Sequence, residues 1–341
     1  MAWQAILIDV YSSREGAMKS LVVEGGSEDI AISVRVEGED GAPLILCVHG
    51  WPELWYSWRH QMAFFAERGY RVAAMDVRGY GQSSKPEAVA AYTLRQLAGD
   101  VAAVAKALAP NPVILFGHDW GAPIAYNTAL LYPELVRAVA GLSVPFTPWS
   151  ETSLLTLMAS IYEDRFFYIN YFQKPRVPEQ ELEQDIGVSL RKIYHSFSGS
   201  SLPDDWLKPK ALDSGLLDHM PDPKPFPGWL SERDLQVYID AFSSGGFSGP
   251  LNRYRAVEID HADFAGYRSR HLSMPVCFIG GERDAIRHYV PGVDGYARPG
   301  AACDDFRGAT LIPGAGHWIQ QEAPQQTNSA LWRFLEGLQA G

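Results

Sequence analysis

Residues 116–122 read F-G-H-D-W-G-A, with a glycine at each end of Gly117-His118-Asp119-Trp120-Gly121. That frame fits a sharp turn from a strand into a helix, in which the central residue is pushed up above the sheet and small neighbours make room for it. The usual centre of such an elbow is serine. Here it is aspartate, and no G-x-S-x-G occurs in the chain. A carboxylate is already ionised at neutral pH, so it attacks without a general base. Attack on an ester or amide carbonyl would give an anhydride, a poor intermediate. Attack on a saturated carbon bearing a leaving group gives an alkyl ester, which water can then hydrolyse. The plainer reading of the same segment is a tight strand–helix turn with Asp119 capping the helix.

Two further residues favour the chemical reading. Asp284 follows the apolar run P-V-C-F-I-G within G-G-E-R-D, and His317 closes G-A-G-H after the last apolar run. Nucleophile, acid and histidine at strand ends, in that order, form the α/β-hydrolase triad. The long gap from Asp119 to Asp284 is what an insertion after the sixth strand would produce.

The elements that must hold these residues can be read from hydrophobic periodicity. Residues 21–24 and 30–36 form a hairpin around G-G-S-E-D, and residues 44–48 are wholly apolar, as in a strand buried on both faces. An aromatic helix (55–68), a strand (72–75), a helix (93–108), a strand (112–116), a helix (122–131) and a strand (135–143) follow. Such alternation implies right-handed crossovers and a mostly parallel sheet. The rhythm stops at Val144 and resumes at Pro275. Between them apolar residues recur at helical spacing, Leu154 to Tyr162 in one helix and Leu182 to Phe197 in a second. S-E-R-D at Ser231 is a capping box opening a third helix through Phe242, and Gly249-Pro250 opens a fourth. Strands at 276–279 and 309–312 and a helix at 325–338 complete the chain. The fold expected is α/β, an eight-stranded, mostly parallel sheet flanked by helices. Residues 18–144 and 273–341 form its core, 145–272 an inserted helical lid, and 1–17 an N-terminal extension.

Composition narrows the function classes. The 341 residues, at about 150 per domain, suit one core with a second unit. Forty acidic against 29 basic residues, a net charge of -11, argue against a nucleic-acid partner. No apolar run approaches the ~18 residues that would span a membrane, and the N-terminal apolar run ends at Asp9, too short for a signal peptide. Cys47 and Cys277 sit in apolar runs and Cys303 in a polar loop, and no metal-ligand spacing occurs. A cytoplasmic monomer or homodimer with no metal or cofactor is expected.

H-G-W-P-E at His49, R-G-Y-G-Q-S-S at Arg78, G-H-D-W-G-A and G-A-G-H-W together resemble the α/β-hydrolase epoxide hydrolases, from about Met18 to the C-terminus. Given the chemistry above, epoxides or alkyl halides are then the substrates of an Asp119 nucleophile. The resemblance implies that two lid tyrosines, Tyr171 in Y-F-Q-K-P and Tyr254 in L-N-R-Y-R, donate hydrogen bonds to an epoxide oxygen. It also implies that His317, supported by Asp284, activates the water that hydrolyses the ester. The N–H groups of Trp51 and Trp120 would form the oxyanion hole, with a cis bond between Trp51 and Pro52, while His49 and Asp76 would be structural. Trp51, Trp120 and Trp318, with Trp55 and Trp58, suggest an apolar or aromatic substituent on the substrate. Arg253 departs from the family, which often has Trp before the second tyrosine. Haloalkane dehalogenases are the nearest alternative, since they use a Trp after the nucleophile as a halide donor. They usually place Asn or another donor where this chain has Trp51. A non-catalytic ligand-binding member of the same fold would typically lack a triad residue, and none is missing here.

Overall fold

The central strands are segments that fold fully inside: Leu44–Val48 is buried along its whole length, as is Val113–His118. In the computed structural model, which describes residues 6–7, 18–201 and 208–339, they pair in parallel with Ile45 opposite Ile114. The strands are β1 (Ile6–Leu7), β2 (Lys19–Glu24), β3 (Ala31–Glu37), β4 (Leu44–Val48), β5 (Arg71–Met75), β6 (Val113–His118), β7 (Val136–Leu142), β8 (Leu272–Gly281) and β9 (Cys303–Ile312). They lie in one sheet in the order β1-β2-β3-β5-β4-β6-β7-β8-β9. The first three pair antiparallel, and the rest are parallel. The eight expected strands are present. The ninth is the two-residue β1, which extends the sheet edge from within the N-terminal extension; the rest of that extension lies outside the described residues.

Alternation along the strands divides the core. Leu46, Val48, Ala73 and Leu115 face one layer, with α2 (Leu94–Leu108) and α3 (Gly121–Leu131). Ile45, Cys47, Val72 and Phe116 face the other, with α1 (Arg59–Ala66) and the C-terminal helix (Pro324–Gln339). Between Leu142 and Leu272 the described elements are helices with no strand among them, and the cavity at Asp119, beyond the C-terminal end of the strand Val113–His118, draws Tyr168, Phe197 and Tyr254 from this run. Tyr194 Oη donates to Pro52 O, and Tyr56 Oη to Asp234, so the insertion is hydrogen-bonded to the core.

Two local expectations meet different outcomes there. The capping box at Ser231 is formed, starting the helix Glu232–Gly245. The single helix expected from Leu182 to Phe197 is two, Val177–Gln184 and Ile186–Ser196. The reason is Asp185, extended at φ -149, whose side chain accepts the Val188 N–H and caps a new helix. Among the described residues no helix is long and apolar enough to cross a membrane.

Candidate active site

Asp119 sits between the end of β6 at His118 and the start of α3 at Gly121, at φ +50, a conformation that non-glycine residues rarely adopt. The flanking glycines make this possible. A Cβ on Gly117 would lie 2.4 Å from Gly121 O, and one on Gly121 would lie 2.0 Å from Val48 O. The turn lifts the Asp119 carboxylate above β4, where Oδ1 accepts the Trp51 N–H at 2.7 Å. The Trp51–Pro52 bond is cis. His49 and Asp76 are occupied in turn geometry: His49 Nε2 accepts the Val77 N–H, and Asp76 accepts the Trp55 and Gln82 N–H groups.

The other two triad residues converge on the same point. His317 Nε2 is 3.3 Å from Asp119 Oδ2, and its Nδ1 is 2.9 Å from Asp284 Oδ2. Asp284 also accepts the Tyr296 hydroxyl at 2.7 Å and the Ile286 N–H at 2.9 Å. The His317 loop is clamped by the half-buried Glu322, whose carboxylate accepts N–H groups of Gly199, Gly316 and Trp318. His317 N–H itself donates to Phe197 O of the insertion.

The lid tyrosines require a correction. Tyr254 lines the cavity over Asp119, as expected, but Tyr171 does not. Its hydroxyl donates to Glu181 Oε2 at 2.8 Å, and Glu181 in turn accepts the Leu216 and Leu217 N–H groups. The phenol facing the cavity is Tyr168, one turn earlier on the short helix Tyr168–Phe172. Its ring lies 5.9 Å from that of Tyr254 and 5.6 Å from that of Tyr289. Trp51 and Trp318 also line this cavity, with Phe197 and Ile286. Trp120 abuts it through a T-shaped contact with Tyr254 at 5.3 Å. Trp55 and Trp58 do not reach it: Trp58 packs against Phe116 beneath the sheet, and Trp55 against Tyr56 and Arg35. The cavity holds about 10 Å³, so the aromatic wall must yield to admit a substrate.

An alpha/beta hydrolase fold family matches residues 43–184. Epoxide hydrolase A of Mycobacterium tuberculosis is 36% identical over 317 residues, covering 91% of this chain and 95% of that protein. The solved epoxide hydrolase from an endophytic Streptomyces superposes with a TM-score of 0.89 at 39% identity, over 96% of this chain and 98% of that one. Potato (Solanum tuberosum) epoxide hydrolase I does so with a TM-score of 0.82 at 33% identity, over 94% and 100%. The chain belongs to the epoxide hydrolases of the α/β-hydrolase fold.

Charge in this epoxide hydrolase site is tightly coupled. Burial alone would lower the His317 pKa, but the Asp284 and Asp119 carboxylates and their hydrogen bonds push it up to about 10. The imidazole is therefore cationic at neutral pH when both carboxylates are charged. Burial opposes ionisation of Asp284, and the His317 charge, with hydrogen bonds from His317 and Tyr296, outweighs it, leaving its pKa lowered. Burial raises Tyr168 and Tyr254 far above the ordinary phenol range, so both keep their protons at any working pH. The Tyr168 and Tyr289 side chains share a hydrogen bond.

Arg253, the departure from the family pattern, points away from the cavity. Its guanidinium pairs with Asp260 and donates to Tyr92 O, and it lies 4.7 Å over the Trp120 ring. Several site residues had no sequence-based role. Tyr168 could not be told from Tyr171, because residues three apart share one side of a helix. Glu53, the last residue of H-G-W-P-E, holds His118 Nδ1 at 2.7 Å, and His118 Nε2 is 2.8 Å from His317 O. That link from the first motif through the elbow to the histidine loop was legible only as motif letters. No group of three or more His, Cys, Asp or Glu among the described residues could hold a metal.

Proposed function

We propose that the protein hydrolyses an epoxide to a vicinal diol through a covalent ester on Asp119. The observation that carries this reading is a carboxylate on one small cavity whose wall also holds the Tyr168 and Tyr254 phenols. Asp119 Oδ1 is engaged by the Trp51 N–H, which leaves Oδ2 to attack a ring carbon. The C–O bond breaks as the ester bond forms, and the oxygen released takes a hydrogen bond, then a proton, from Tyr168 or Tyr254. Esterification removes the Asp119 charge, one of the forces holding His317 protonated. His317 gives up that proton to restore the phenol, and as a neutral base it deprotonates a water that attacks the ester carbonyl. Oδ1 becomes the oxyanion, held by the Trp51 and Trp120 N–H groups, and collapse releases the diol and Asp119.

An apolar chamber of about 350 Å³ beside Trp120, lined by Leu94, Phe146, Trp149 and Leu157 among others, supports an apolar or aromatic substituent. The same reading takes residues 145–272 as a lid on a core of 18–144 and 273–341. It has the enzyme working with water as co-substrate in the cytoplasm, as a monomer or homodimer. Incubation with an aryl epoxide and, separately, an alkyl bromide tests the reading: diol from the epoxide is expected, and bromide release without diol would overturn it.

A further inference from the structure

The apolar chamber of about 350 Å³ and the cavity at Asp119 share no lining residue. They meet at one pair of rings. Trp120 lines the chamber, Tyr254 lines the cavity, and the two are in T-shaped contact at 5.3 Å.

Over the Trp120 ring lies a cation, the Arg253 guanidinium, at 4.7 Å. Arg253 is itself anchored. Its Nη2 pairs with Asp260 and its Nη1 donates to Tyr92 O, while Asp260 also accepts the Leu94 N–H at 2.6 Å. Arg253 and Asp260 are both buried. Arg253 Nε has no hydrogen-bond partner among the described residues, so the Trp120 ring is what remains to compensate that edge of the cation. Such an attraction is strongest away from water, and a cation fixed by two other residues does not follow the ring if it turns. Rotation of the indole about its own side-chain bonds therefore loses the contact, while the Trp120 N–H, on the backbone, stays in place.

We propose that Arg253 is a specificity-determining positioning residue: it latches the Trp120 indole against Tyr254 and so keeps the chamber shut off from the cavity at Asp119. The inference rests on the epoxide-hydrolase reading above and adds to it what limits the substituent. A small epoxide reacts without entering the chamber. One with a large aryl group must turn the Trp120 ring aside and forfeits the Arg253 contact in doing so, so the latch discriminates against it.

The test uses the full chain with two terminal epoxides, one carrying methyl and the other naphthyl. Arg253→Met with Asp260→Asn removes the ion pair as a unit and leaves no stranded carboxylate. In that double variant the naphthyl-to-methyl ratio of kcat/KM should rise by about tenfold, the scale of one desolvated cation–π contact, with methyl-epoxide turnover within about threefold of wild type. Arg253→Lys keeps a cation at the position and should hold the ratio closer to wild type than the double variant does. Trp120→Ala removes the partition with Arg253 in place and should raise the ratio too, which keeps the test valid if the double variant does not fold. Diol from both epoxides, with a ratio in the folded variant that stays at the wild-type value or falls, would overturn this inference alone, because a merely structural Arg253 would slow both substrates alike. No diol from either epoxide with the wild-type enzyme would overturn the epoxide-hydrolase reading together with it.

Discussion

Replacing Tyr168 and Tyr171 separately by Phe discriminates between two positions that share one short helix. Tyr168 and Tyr254 face the cavity, whereas Tyr171 is turned onto Glu181. If two phenols stabilise the oxygen released on ring opening, deleting one removes a hydrogen bond that strengthens in the transition state. Such a donor contributes about 10²–10³ in rate. Tyr168→Phe should therefore slow single-turnover ester formation by about that factor. Tyr171→Phe removes only a structural bond to a carboxylate, costing about 1–2 kcal/mol of stability and leaving ester formation within about threefold of wild type. Rapid-quench mass measurement of the ester, with an aryl epoxide and enzyme in excess, reads both rates, and urea unfolding reads the stability. A slow Tyr171→Phe beside a near-normal Tyr168→Phe would refute the reasoning and restore the assignment expected from sequence.

Three further outcomes follow from the same geometry. Asp284→Asn leaves His317 without its carboxylate partner and in the wrong tautomer, so steady-state turnover should fall by about 10³–10⁴; a loss below tenfold would contradict the role of Asp284. The folded-state pKa of His317 is raised to about 10 from an ordinary 6.5, so its contribution to stability is fully present below pH 6.5 and is lost as pH rises through about 10. Urea unfolding of wild type and His317→Gln across that range should show the two curves converge, and a constant difference would contradict it. Arg253→Met strands the buried Asp260 carboxylate, whose pKa burial already raises against the pull of Arg253. It should cost about 3–5 kcal/mol, much of it recovered on adding Asp260→Asn, as a double-mutant cycle in urea would measure.

What could be read from the sequence depended on how local the information was. The elbow at Asp119, the capping box at Ser231 and the buried strand at Leu44–Val48 are set by neighbouring residues, and each appears in the structure where expected. Which of Tyr168 and Tyr171 faces the cavity was not legible, because Tyr171 is drawn onto Glu181, on a different helix. Helical periodicity ran straight through Asp185, since apolar spacing does not register a cap inside it. Arg253 stood out only as a departure from the family pattern, and its partners Asp260 and Tyr92, which turn it outward, are set by the fold.

The central claim is the covalent ester on Asp119, and intact-mass analysis of His317→Gln after exposure to an aryl epoxide tests it most directly. Without its base the variant should form the ester and fail to hydrolyse it. A mass gain of one substrate should appear, mapping to the peptide that carries Asp119. An unmodified mass after exposure, with diol still forming, would contradict the two-step account.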